Sequence, residues 1–265
     1  MSDLKIVTVL SLGAGVQSST LALMCAKGEV TPMPKAAIFA DTQDESKKTY
    51  AWLDWLEKQL PYPIIRASKG KLSVESTKVK LSKFGNFYSS YSIPAFITDG
   101  IKTGLLMRQC TSSFKIEVIQ REIRKLLKKG EVCHQLIGIS VDEAHRMKDS
   151  RKKYIKNIYP LVDIKISRAG CVVWMKKNGY LKPPRSACVY CPFHNDKEWL
   201  ALEPEDFKAA VEFEKKYQEA MAKIPTIRGV PFLHRSCVPL DKVVFKTNEN
   251  QLNLFGNECE GMCGV

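Results

Sequence analysis

The chain has 265 residues, 45% of them hydrophobic, with 41 lysines and arginines against 28 aspartates and glutamates for a formal charge of +13. This length suits one large domain, or one with a sizeable appendage, and a core that needs no disulfide staples. The composition excludes collagen-like, disordered and membrane-spanning classes, and the charge points to polyanionic partners without separating nucleotides from nucleic acid.

The opening stretch MSDLKIVTVLSLGAG carries an apolar run too short for a signal-peptide core or a spanning helix, so a cytoplasmic location with reduced thiols and no membrane is expected. Through residue 165 short apolar runs alternate with helical patterns, the signature of parallel strands joined by crossover helices. Strands are predicted at Ile6–Leu10, Ala36–Ala40, Ile64–Ala67 and Gln135–Ser140, each nearly continuously apolar and flanked by turn residues. One helix starts near Ser18. A second covers Ser46–Leu60, with Tyr50, Leu53, Leu56 and Leu60 at helical spacing, and a third covers Ser113–Lys129 up to Gly130. Two more are predicted at Ile166–Asn178, ending at Gly179, and at Glu203–Lys223, with Pro204 in the first turn. From Pro225 onward the chain reads as loops with one short strand around Val243–Phe245. The expected organisation is a nucleotide-binding domain over 1–165 and a cysteine-containing helical and loop extension over 166–265 packed on it.

Chemistry concentrates at the predicted strand ends. Between the first strand and its helix lies Ser11-Leu12-Gly13-Ala14-Gly15-Val16-Gln17-Ser18-Ser19. Glycines admit an anion close to the backbone, amides at a helix start point toward it, and serine hydroxyls add donors. It is neither a Walker loop nor a complete dinucleotide fingerprint, and the competing reading is a glycine turn used only for packing. The second strand runs into Asp41-Thr42-Gln43-Asp44-Glu45, and the fourth into Ser140-Val141-Asp142-Glu143 with Arg146 beyond. Ligands of open α/β sheets bind at such carboxyl ends. The amides and Arg146 suit phosphates, Asp142 or Glu143 a magnesium ion or a proton, and Asp41 and Thr42 polar contacts near the loop. For Asp44 and Glu45 a helix cap or first-turn charge is an equal reading.

The segments GAGVQSS, FADTQDE with KKTY, RQCTSSFK, GISVDEAHR and CVYC, in that order over residues 11 to 191, resemble the PAPS reductase family of the adenine nucleotide α-hydrolase superfamily. The resemblance implies a doubly wound, Rossmann-like α/β fold with a five-stranded parallel sheet. It also implies a phosphate-binding PP-loop on Gly13, Ala14, Gly15, Val16, Gln17 and Ser18, next to Ser19. Glycine stands for the loop's leading serine and glutamine for its aspartate, so a metal-bridging role is not carried over, whereas nucleotide binding rests mostly on amides.

Cys188-x-x-Cys191 has the spacing at which two thiolates of one turn share a metal, with His194 nearby and Cys110 as a third thiol beside a basic residue. In the sulfonucleotide reductases that the chain resembles, a cysteine pair and a later C-x-x-C hold a 4Fe-4S cluster. Here the pair reads Cys110-Thr111, so either one iron stays open or the fourth ligand comes from the tail, from Cys259 or Cys263. Zinc on Cys110, Cys188, Cys191 and a tail cysteine is the competing reading. The tail is also similar to the reductase ending that carries a nucleophilic thiol, which makes Cys259 a candidate nucleophile and Cys263 a resolving thiol or ligand. Cys25, Cys133 and Cys171 read as core residues, and Cys237 has no assignment.

Two basic runs complete the pattern: Lys69, Lys71, Lys78, Lys80 and Lys83 leading into Phe84, Phe87, Tyr88 and Tyr91, and Arg146, Lys148, Arg151, Lys152, Lys153 and Lys156. Charge beside aromatic rings suits a single-stranded nucleic acid, and a solvated basic face is the alternative. The leading functional expectation is an enzyme that cleaves ATP, with Mg2+, at the α–β bond to adenylate an acceptor. Iron-sulfur-assisted sulfur transfer to a base of tRNA or DNA would follow, with Asp41 and Asp142 as catalytic acids. The alternatives are a PAPS or APS reductase that releases sulfite through Cys259, and a non-catalytic nucleotide and nucleic-acid binder. A homodimer is compatible with each.

Overall fold

The computed structural model describes residues 5–246. In chain order the α/β part holds β1 (Ile6–Leu12), α1 (Val16–Ala26), β2 (Ala36–Asp41), α2 (Lys47–Glu57) and β3 (Ile64–Ser68). An insert follows, with α3 (Leu72–Thr77), β4 (Val79–Leu81), β5 (Phe87–Ser89), β6 (Phe96–Thr98) and β7 (Thr103–Leu105). One π-helical segment, Thr111–Ile116, runs into α4 (Glu117–Leu126), and then come β8 (Val132–Ile137), a 3-10 segment Val141–Arg146, β9 (Ile155–Ile158), α5 (Pro160–Asp163) and α6 (Arg168–Lys177). The remainder holds α7 (Asp196–Leu200), α8 (Pro204–Met221), β10 (Val230–Phe232) and a short 3-10 segment, Leu240–Lys242.

The central sheet has five parallel strands in the order β3-β2-β1-β8-β9. Alternation along the strands sends Leu10, Leu12, Ala37, Phe39, Ile64 and Leu136 to one face, where α1, α2 and α6 pack through Leu21, Leu53, Leu56, Cys171 and Met175. Val7, Val9, Ile38, Ala40, Ala67, Cys133 and Ile155 meet Val118, Ile119 and Ile123 of α4 on the other face. Helices on both faces of a parallel sheet make the fold doubly wound, as the sequence predicted. A further core joins the insert (Leu72, Ile93, Ala95) and Phe114 to Ala187–Phe193, Trp199, α8 and Leu233. The small sheets β10-β6-β7 and β4-β5 belong to this side.

Local chemistry sets the element ends. Ser46 caps α2 by accepting from Thr49 N, Ser167 caps α6 by accepting from Gly170 N, and Pro204 opens α8 in the first turn. Three predicted elements shift. The fourth strand starts earlier and ends at Ile137 rather than Ser140, because Gly138 already packs on the start of α1. The helix predicted from Ser113 begins with a π-helical segment, and its regular part stops at Leu126. No strand covers Val243–Phe245, whose side chains Val243 and Phe245 pack on the insert-side core, and the late strand is β10, antiparallel to β6. Strand β9, unpredicted, has the I-K-N-I pattern of an edge strand with alternating burial. No described helix is long and apolar enough to cross a membrane.

A Cβ at Gly138 would stand 2.7 Å from both the N and Cα of Ser18. Gly138→Ala is therefore expected to displace the β1–α1 turn and to cost about 1–3 kcal/mol of stability, as overpacking does. Thermal or urea unfolding of the variant checks this.

Candidate functional site

β1 pairs with β2 on one edge and β8 on the other, so successive connections diverge there and open a crevice at the strands' carboxyl ends. The turn after β1 lines it. Ala14 takes a left-handed conformation (φ 59), and Gly15, extended, is the N-cap of α1 with no side-chain capping bond. The first amides of a helix have no intrahelical acceptor and its dipole adds partial positive charge there, so this start is ready for an anion. Gly13 N donates to Ser18 Oγ at 3.2 Å, and that hydroxyl donates to Gly15 O at 3.4 Å, closing the turn on itself. Gln17 Nε2 reaches across the crevice to Ser140 Oγ at 3.4 Å, while its buried Oε1 has no hydrogen-bond partner among the described residues. Ser19 is fully buried and accepts from Trp52 Nε1 at 3.0 Å, bracing α1 against α2.

At the end of β2, Asp41 Oδ1 accepts from Gln43 N at 2.7 Å and from Tyr50 OH at 2.8 Å. Burial, with the hydrogen bond to Asp41, pushes the Tyr50 hydroxyl well above its ordinary pKa, so it stays a donor. Beyond β8, Asp142 accepts from Arg168 N at 2.9 Å. Partial burial opposes its charge, but the Ser140 hydroxyl and the Arg168 amide outweigh that and hold the carboxyl below its usual range. Arg146 pairs with Glu143 at 3.0 Å, both side chains largely buried, so Glu143 has a structural partner. Gly13, Ala14, Gly15, Gln17, Ser18, Asp41, Thr42, Asp142 and Arg146 thus lie in the segments that leave the carboxyl ends of β1, β2 and β8.

Thr42 leads to the cysteines. It is fully buried, and its Oγ1 stands 3.2 Å from Cys188 Sγ. A bridge between Glu45 and Cys188 and the bond from Val189 N to Asp44 O tie the C-x-x-C turn to the exit of β2. Cys110, Cys188 and Cys191 line one cavity of about 20 Å³ together with Thr42, Lys115 and Tyr190. Two buried carboxylates support it. Asp44 accepts from Ser73 N and Oγ at 2.7 and 2.8 Å, near the start of α3, and from Tyr190 OH at 2.8 Å. Glu45 faces Lys115 at 3.8 Å, the two side chains 1% and 7% exposed. Neither acid caps α2, the role open to them from sequence, since Ser46 does.

The Cys188 thiol is pushed far above its ordinary pKa, first by burial and then by the Glu45 charge, against the opposing pull of Lys115. Three thiols are the right donors for a soft metal. A cavity of this size holds about one water, however, and no three metal-binding side chains among the described residues stand close enough to share an ion. This arrangement does not fit a 4Fe-4S cluster or a zinc ion. Cys259 and Cys263 lie outside the described residues. Cys25, Cys133 and Cys171 are buried free thiols pushed up to about 12 by burial, consistent with core residues. Cys237 is half-buried at a turn with φ 52.

Sequence reasoning missed Lys115, Ser73 and Tyr190. Lys115 stood inside the quoted RQCTSSFK segment, but nothing local distinguishes a buried lysine from a solvated one. No family model and no curated protein matches the chain. Among solved structures it is similar to the phosphoadenylyl-sulfate (PAPS) reductase of Candida auris, in a phosphate complex, at 15% identity and a TM-score of 0.41, over 69% of this chain and 76% of that one.

Two predictions follow from the buried charges. Lys115→Met, which strands the Glu45 carboxylate, should cost about 3–5 kcal/mol, and adding Glu45→Gln should recover much of that loss in urea unfolding. His194, buried beside Arg185, has its pKa lowered to about 3, first by burial and then by the arginine charge. The unfolded chain takes up this proton near pH 6.5 and the folded chain only near 3. Its contribution is therefore complete above pH 6.5 and is lost as pH falls toward 3, at about 1.4 kcal/mol per pH unit. His194→Gln should flatten that part of the stability–pH curve.

Proposed function

We propose that the chain is an enzyme that binds an adenine nucleotide at the β1–β8 crevice and cleaves ATP between the α and β phosphates to adenylate an acceptor, a nucleic-acid base. A sulfur nucleophile then displaces AMP from the acceptor. The observation that carries this reading is the uncapped start of α1, entered through Ala14 and Gly15, at the point where the strand order reverses.

In this reading the amides at the start of α1 hold phosphate oxygens and take up negative charge as it develops on the leaving pyrophosphate. The acceptor oxygen attacks the α-phosphorus, the bond to the bridging oxygen breaks, and pyrophosphate departs. Arg146 supplies positive charge near the end of β8. Asp142, kept ionised by its hydrogen bonds, stands at the same end to take the acceptor's proton. Magnesium is bound through one or two carboxylates plus substrate phosphates, and half-buried Asp41, with both hydrogen bonds on Oδ1, fits that donor set. The ion would neutralise phosphate charge there. No step is routed through a cluster.

The test is to incubate the protein with ATP and bulk tRNA or single-stranded DNA, and separately with PAPS or APS and a dithiol. AMP and pyrophosphate are expected from ATP only when acceptor is present, and Asp41→Asn should lower that turnover at least 100-fold with the thermal midpoint nearly unchanged. Sulfite from PAPS or APS, abolished in Cys259→Ser, would overturn the proposal in favour of a sulfonucleotide reductase. Nucleotide binding without any turnover would leave a binding protein.

A further inference from the structure

The insert between β3 and α4 leaves the carboxyl end of β3 at Ser68 and returns at Cys110, on the wall of the cysteine cavity. Its inner residues Leu72, Ile93 and Ala95 are buried in the insert-side core. Its β4–β5 hairpin is built differently. Leu81 pairs with Phe87 and Lys80 with Tyr88 across the two strands, so apolar and charged groups alternate between the ribbon's faces. Phe84 at the tip is 77% exposed, Leu81 61%, Phe87 47% and Tyr88 43%. The Lys83 ammonium lies over the Phe84 ring, 5.0 Å from its centroid.

We propose that this hairpin is a docking platform for single-stranded nucleic acid. Rings exposed at this level stack on any base, and lysines beside them follow a phosphate backbone. Charge selects this occupant over a protein. Between residues 78 and 108 the chain carries Lys78, Lys80, Lys83, Lys102 and Arg108 against a single acid, Asp99. Asp99 is spent inside the β6–β7 turn, accepting from Ile101 N and Lys102 N at 2.9 and 2.7 Å. A duplex, its bases already stacked inside, offers the rings nothing. The inference rests on the nucleic-acid acceptor proposed above and names the surface that holds it, beside the crevice where that acceptor would react.

The experiment is fluorescence anisotropy without ATP, so that failure of binding and failure of adenylation are read separately. One sequence is presented as single-stranded DNA, as single-stranded RNA and as a DNA duplex, over a range of salt. At least one single strand should bind more than tenfold tighter than the duplex, and the two single-strand arms tell which sugar is preferred. Phe84→Ala with Tyr88→Ala should weaken that binding at least tenfold with an unchanged salt slope, the thermal midpoint confirming that these exposed changes leave the fold intact. Lys80→Gln with Lys83→Gln should reduce the slope of log K against log salt by about 1. Wild-type affinity in the aromatic variant, equal affinity for the duplex, or preference for polyglutamate over the single strand would each overturn the proposal.

Discussion

Everything at the candidate site depends on β1 being hydrogen-bonded along both edges by parallel neighbours. A strand so placed must be apolar on both faces, and its chain must leave the sheet at one end without blocking either neighbour. The exit through Gly13, Ala14 and Gly15 satisfies this by turning sharply into α1, and Gly138 lets the exit of β8 come within contact of the same turn. Crevice and phosphate cradle are two results of one packing requirement. The cross-crevice bond from Gln17 to Ser140 then fixes the distance between the two exits.

Behind the crevice the sheet is joined to a second body of structure through charges rather than through apolar packing alone. Asp44 and Glu45, one turn beyond β2, reach Ser73 and Tyr190 on one side and Lys115 on the other. Buried ionic groups are expensive unless fully paired, and their gain is a fixed register between parts distant in sequence. Here that register presents Cys110, Cys188 and Cys191 to one small cavity. High thiol pKa at Cys188 follows from the same burial, so at neutral pH this sulfur is a protonated, weakly reactive group.

Much of the sheet was legible because buried parallel strands appear as unbroken apolar runs, as in Ile6–Leu12 and Ala36–Asp41. Edge strand β9 was not, since one half-solvated tetrapeptide looks like many loops. The glycine loop and the acids at strand ends were legible as a site because ligand chemistry in such sheets is fixed by topology. The insert-side core was hidden: it draws on segments around 72–114 and 187–240, and no local pattern announces that they meet. Lys115 and Glu45 were hidden for a related reason. Charge reads as solvent-facing until a partner is known to arrive from elsewhere, and the closeness of Thr42 to Cys188 is likewise a product of folding.

The Ala14–Gly15 turn has one more implication. Recognition there is carried by main-chain groups, so it constrains shape and leaves most side chains free. Only a residue that tolerates left-handed backbone at 14, an uncapped glycine at 15 and small neighbours at 18 and 138 are required by the geometry. A lineage carrying such a cradle can exchange nearly every other letter around it and still hold the same anion. Its chemistry would then be set by whatever elements are brought up to the rim, and in this chain those are the Asp41 exit and the basic, ring-bearing hairpin.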